Sequence, residues 1–174
     1  EFSFVQFSSA FIILFAIIDI TGSIPIILSL KSKGVDINPV KTSSVALGIM
    51  ILFLFLGERI MSLFHVDIES FAVAGAFVLF IMALEMILDV EIFRNNTPKN
   101  IGAIVPIAFP LVAGPGSFTA MISLRAEFDT INILLALIAN LLFVLVVLKA
   151  TGRIEKLLGK GGIYILRKFF GIIL

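Results

Sequence analysis

Long apolar runs, nearly free of charge, divide the chain into regular blocks. Residues 2–30 carry one charge, Asp19, and residues 42–57 carry none, with the apolar pattern resuming after Glu58 and Arg59 up to Val66. Residues 70–84 are charge-free and stay apolar past Glu85 to Leu88; residues 100–124 and 130–148 are also charge-free. A last run begins near Ile163 and contains Arg167 and Lys168. A spanning helix needs about 20 apolar residues. The pattern therefore predicts five full transmembrane helices and the start of a sixth, which is expected to be cut off. The runs are continuous rather than alternating, so a membrane β-barrel is not expected. Lipid leaves helices as the other solution, because every backbone polar group must be satisfied internally.

Two runs carry strong break signals. Residues 2–30 as one straight helix would be about 43 Å long, more than the hydrocarbon core. This run contains Asp19-Ile20-Thr21-Gly22-Ser23-Ile24-Pro25. Gly and Pro are poor helix-interior residues, and Pro25 lacks a backbone donor. Residues 100–124 contain Pro106, Pro110 and then Gly114-Pro115-Gly116. Helices 1 and 4 are expected to be discontinuous. Residues 15–30 align without gaps on residues 109–124, with five of sixteen positions identical at an offset of 94 residues. The matches include Gly22 with Gly116 and Ser23 with Ser117. Helix 1 then pairs with helix 4, and three helices form a repeat. An odd number of spans inverts the second repeat, a plan common in secondary transporters. The expected architecture is an all-α polytopic membrane protein: two inverted three-helix repeats, residues 1–94 and 95–174, in one membrane domain.

Composition supports a lipid solvent. Hydrophobic residues make up 60% of the 174 residues and charged residues 14%, against about 45–50% and 25% in ordinary soluble domains. The absence of Cys excludes disulfides and thiolate metal sites. The net charge of +1 gives no reason to expect a nucleic-acid partner. Its distribution is more telling. Loops 1, 3 and 5 and their flanks hold Lys31, Lys33, Lys41, Arg94, Lys99, Lys149, Arg153, Lys156, Lys160, Arg167 and Lys168, eleven cations; loops 2 and 4 hold Arg59 and Arg125. The positive-inside rule puts loops 1, 3 and 5 in the cytoplasm and the N-terminus outside. Residues 153–168 read as a positive-inside anchor that meets membrane lipid.

The motifs Asp19-x-x-Gly22-x-x-Pro25, Pro106-x-x-x-Pro110-x-x-x-Gly114-Pro115-Gly116 and Phe71-x-x-Ala74-Gly75-x-x-x-Leu79-Phe80-x-x-Ala83-x-x-Met86 together resemble the MarC family of six-helix inner-membrane proteins. Ile20 stands where the family has Pro, and His65 where it has Gly. The resemblance implies a prokaryotic inner-membrane protein related to amino-acid exporters of the lysine-exporter type. It also implies small neutral amino acids such as glycine and alanine as substrates.

Chemistry-bearing residues are few. Asp19 falls near the middle of its span, where a carboxylate costs about 2.5–3.5 kcal/mol. It is expected to be buried, paired or protonated, with burial raising its pKa. Two readings stand: a proton or sodium coupling site, or a cap for the second half-helix. Gly114, Pro115, Gly116 and Ser117 would open a half-helix whose amides suit a substrate carboxylate, with Ser117 and Thr119 adding hydroxyl donors. Gly22 and Ser23 would offer a second amide cluster facing the first, and Pro25 borders the pathway. A zwitterion would fit between them, its ammonium on Asp19 or unwound carbonyls. Asn140 is read as the one amide inside span 5, lining the pathway or bonding two helices. No cofactor is expected, and His65 is too isolated for a metal site. Neither Walker signature is present, and a membrane protease would want a second deep Asp, so an enzyme is not expected. The leading reading is an alternating-access transporter of small neutral amino acids. The alternative is a non-transport membrane protein that binds lipid or protein partners.

Overall fold

The computed structural model describes residues 1–90 and 104–173. Arg94, Lys99 and the division at residues 94/95 lie outside that part, as do the side chains of Glu85, Pro106, Pro110 and Arg167. The described chain is all-helical: α1 (Phe4–Ile18), α2 (Ile24–Ser32), α3 (Pro39–Leu63), α4 (Ile68–Leu88), a π-helical segment (Ile104–Val112), α5 (Pro115–Glu127) and α6 (Thr130–Ile173).

Each boundary has a local cause. Ser3 caps α1, its hydroxyl accepting from Gln6 N–H. Asn38 caps α3 through Lys41 N–H, with Pro39 as the first helical residue, where its missing donor is not needed. The α3–α4 turn forms where His65 takes a left-handed conformation (φ 54°), and Asp67 then caps α4 by accepting from Ser70 N–H at 2.5 Å. That bond holds the Asp67 carboxyl below its ordinary pKa. α6 is broken at Gly159 (φ 64°, ψ 178°), a conformation open to glycine alone among common residues. The break separates the fifth apolar run from the start of the sixth.

α3 (25 residues) and the stretch Thr130–Leu166 are each long and apolar enough to cross a membrane. The first and fourth apolar runs fall short as single helices because each is divided: α1 and α2 flank residues 19–23, while the π segment and α5 flank Ala113-Gly114. The expected discontinuities at helices 1 and 4 are therefore present.

α6 is the hub, packing on α1, α2, α3 and α4. Leu14, Ile27, Met50, Leu54, Ile107, Val112, Met121, Ile133, Leu137 and Leu148 form the core. Outward positions stay apolar: Phe4, Val73, Phe77 and Val146 are exposed, as a lipid-facing surface requires. At one end Asp129 N–H donates to Gln6 Oε1 (3.0 Å); at the other, Lys31 meets Glu155 at 3.7 Å. Asp129 and Glu155 are 26 residues apart, about 39 Å along a helix. That separation matches a bilayer with its interfaces.

Candidate functional site

The first break is closed by its own carboxylate. Asp19 ends α1 in the left-handed region (φ 41°, ψ 54°), its N–H bonded to Phe15 O. Asp is one of the few side chains that visit this region readily. Its Oδ1 accepts from Gly22 N–H (3.1 Å) and the Thr21 hydroxyl (3.2 Å). Its carbonyl accepts from Ser23 N–H (3.1 Å) and the Ser23 hydroxyl (3.0 Å). Ile24 N–H bonds Thr21 O, and Pro25 has no N–H. The amides of Gly22 and Ser23, expected to await a substrate, are thus engaged inside the break. Asp19 itself is exposed. The burial expected for it is absent: its carboxylate stays at the break, bonded to Gly22 N–H and Thr21 Oγ1, as the capping reading has it.

The second break has a different construction on equivalent positions. Pro110 has no N–H for the carbonyl four residues back, and the segment winds as a π-helix. Ala113 N–H bonds Ala108 O, five residues back, where its counterpart Asp19 bonds four residues back. Gly114 is extended (φ −120°, ψ −178°) and supplies no capping side chain. The Ser117 hydroxyl donates to Val112 O (2.8 Å), and that of Thr119 to Pro115 O (2.8 Å). The Ser117 hydroxyl proton therefore secures the break, while that of Thr119 is engaged one turn back within α5. The helix's own ladder starts with Phe118 N–H to Gly114 O, so the amides of Gly116 and Ser117 lie ahead of it. The position matching Asp19 is Ala113, which has no carboxylate to cover them.

The two breaks meet side by side rather than end to end. α5 packs on α1 and α3, and α2 is not among its main neighbours. A Cβ at Gly116 would stand 3.3 Å from Ile17 Cγ2, so the first turn of α5 lies on the last turn of α1. Along this seam runs an open groove of about 560 Å³, lined by Ile13, Ile17, Gly116, Thr119, Ser123 and Glu127 among others. Gly116 and Thr119 share it. Ser117 and Pro25 are buried. Asn140 is buried on α6, its amide donating to Phe11 O of α1 (3.2 Å) and to Ala136 O (3.0 Å), the interhelical bond that was one of its two readings.

Some polar anchors escaped the sequence reading. Span 5 contains a second amide, Asn132, fully buried. It accepts from Ser3 N–H and donates to Gln6 Oε1 (2.7 Å) and Glu1 O, tying α1 to α6. Its position within the charge-free run was the available signal. Arg125 reaches across to Leu54 O at 2.7 Å. Among the described residues, no three His, Asp or Glu side chains gather as a metal site.

The sequence finds its match among known proteins. The profile of MarC family integral membrane proteins matches residues 4–174. The chain belongs to the MarC family. A UPF0056 membrane protein of Buchnera aphidicola subsp. Schizaphis graminum is 30% identical over 175 residues, covering 95% of this chain and 88% of the relative. A UPF0056 membrane protein of Methanocaldococcus jannaschii is 30% identical over 183 residues, covering 97% and 89%. The UPF0056 inner membrane protein YhgN of Escherichia coli K12 is 30% identical over 175 residues, covering 95% and 88%. No solved structure matches the chain. As a MarC member it is an integral membrane protein, and its two helix breaks lie within the matched region.

Proposed function

We propose that this MarC-family chain is a secondary transporter of small neutral amino acids of the glycine and alanine type, working by alternating access with proton or sodium coupling. It is not an enzyme on this reading, and its partners are a small zwitterion, a coupling ion and membrane lipid. The carrying observation is the uncapped start of α5. The Gly116 and Ser117 amides sit at the positive end of a helix dipole, beside an open groove and next to the α1 break that bears Asp19. A carboxylate would take these amides, and Asp19 or nearby carbonyls would take the ammonium and the coupling ion. The matching breaks at residues 19–23 and 113–114 support two inverted three-helix repeats, residues 1–94 and 95–174. The eleven-to-two division of cations supports an N-terminus outside a prokaryotic inner membrane, with loops 1, 3 and 5 cytoplasmic.

Glycine and alanine flux into proteoliposomes tests this reading. Gly116→Val places a branched side chain against Ile17 in the groove, and flux is expected to fall at least tenfold while the protein still folds. Wild-type flux in that variant removes the site. A second reading, a non-transport membrane protein that binds lipid or protein, is favoured by one observation: the Ser23 and Ser117 hydroxyls close their own breaks, and that of Thr119 is engaged within α5. Absence of substrate-dependent flux in the wild-type protein would select it.

A further inference from the structure

We propose that the crevice between the end of α2 and the two limbs of α6 binds the phosphate of an anionic phospholipid headgroup. The crevice, of about 420 Å³, is lined by Lys31, Ser32, Glu155, Lys160, Ile163 and Tyr164, and falls within the size range of small-ligand sites. Gly159 creates it. The helix kinks there, and Glu155 on one limb and Lys160, Ile163 and Tyr164 on the other line the crevice with Lys31 and Ser32 at the end of α2.

Its charge is unbalanced. Lys31 faces Glu155 at 3.7 Å, and the Ser32 hydroxyl donates to Ser29 O. Lys160 has no ion-pair partner among the described residues. The crevice therefore holds two cations against one carboxylate, and Tyr164 brings a phenol. Lys168 lies 5.4 Å from the centre of the Tyr164 ring, but its charge is matched by Asp89 at 2.5 Å. An anion entering the crevice satisfies Lys160 and competes with Glu155 for Lys31.

The surroundings identify the source of that anion. On the two limbs of α6 that flank the crevice, Leu157 is 88%, Ile165 68% and Ile172 75% exposed, and Tyr164, which lines it, is 54% exposed. A free phosphate ion makes no use of such a surface. A phospholipid does: its phosphate reaches the lysines while its acyl chains cover the aliphatic side chains. Tyrosine and lysine together are typical of this depth. The inference rests on membrane insertion and does not depend on the transport reading.

Tyr164 is the only tyrosine in a chain without tryptophan, so intrinsic fluorescence reports on this crevice alone. The full chain in neutral detergent is titrated with dioctanoyl phosphatidylglycerol, dioctanoyl phosphatidylcholine and inorganic phosphate. Saturable binding of phosphatidylglycerol is expected, at least fivefold tighter than either of the others. Lys160→Gln should weaken it about fivefold, the effect of one lysine near an anionic surface, and Glu155→Gln should tighten it. Both side chains lie at the surface, so neither substitution opens the core; far-UV circular dichroism checks this. Equal binding of the two lipids, or an unchanged midpoint in both variants, overturns the proposal. Inorganic phosphate binding as tightly as phosphatidylglycerol overturns the lipid assignment.

Discussion

Gly22→Ala should destabilise the protein through Asp19 alone. A Cβ built at Gly22 stands 2.3 Å from Asp19 Oδ2 and 2.9 Å from Cγ, so the carboxylate must leave. The displaced group is the free end of a side chain, and the backbone at Gly22 does not need a positive φ. The cost is therefore the loss of the two bonds Asp19 accepts, from Gly22 N–H and Thr21 Oγ1. Hydrogen bonds to a charged group contribute about 1.5–3 kcal/mol. Exposure of Asp19 brings the expectation to about 1–2 kcal/mol. Reduced freedom of the unfolded chain returns about 0.4–1 kcal/mol, leaving a net loss near 1 kcal/mol. In an Asp19→Ala background the carboxylate is already gone, and Gly22→Ala should be neutral or slightly stabilising. Alanine strain at the left-handed position 19 enters both arms and cancels in the cycle. Unfolding in mixed micelles of the wild type, the two single variants and the double variant gives the coupling directly. An equal cost of Gly22→Ala in both backgrounds would refute the account, because the residues would then act independently.

Two further outcomes follow from the carboxylates. On the transport reading, Asp19→Asn retains substrate binding while flux loses its dependence on a pH gradient; unchanged pH dependence in proteoliposomes removes Asp19 from coupling. At the α3–α4 turn, the hydrogen bond from Ser70 lowers the Asp67 pKa from 3.8. A depressed folded pKa gives stability that is present above the unfolded value and lost as pH falls through the folded one. Asp67→Ala should therefore lower the unfolding midpoint at neutral pH, and the gap to wild type should close below about pH 3.8. A gap that persists unchanged in acid would remove the cap from the explanation.

The helical class was legible, and with it two spans, Pro39–Leu63 and Thr130–Leu166, because a bilayer permits few backbone solutions and charge-free runs of sufficient length carry the prediction. The breaks were legible for a related reason: Gly22, Pro25 and the Gly114-Pro115-Gly116 triplet change backbone geometry whatever surrounds them. Less could be read about where hydrogen bonds go. The serine and threonine at a break announce donors, yet nothing in their spacing says that Ser117 must turn back to Val112 O or Thr119 to Pro115 O. The Ser117 choice follows from the π segment, which shifts the carbonyl pattern by one residue; Thr119 makes an ordinary bond one turn back within α5. Asp19 is exposed and left-handed, and hydropathy encodes neither. Asn132 was passed over beside Asn140 because its importance comes from the chain's first residues, over a hundred positions away.

The difference between the two breaks carries the functional argument further than their likeness. Both begin from a similar sequence, and both use a serine hydroxyl to secure a carbonyl on the preceding half-helix: Asp19 O for Ser23 and Val112 O for Ser117. They diverge at the residue before the turn. Asp19 places a carboxylate on the Gly22 amide, so the first half-helix start carries its own anion. Ala113 has no such group, and Gly114 has no side chain at all, so the second start is left with its dipole unmatched. An anion-binding helix start needs room beside it, and Gly116 provides that room where α5 touches Ile17 and the groove opens. If the two starts were packing devices only, there would be no physical reason to neutralise one and leave the other open beside a cavity. On the transport reading, this asymmetry leaves the first start with its intrinsic anion and the second for an external carboxylate, with the exposed Asp19 to meet a cation.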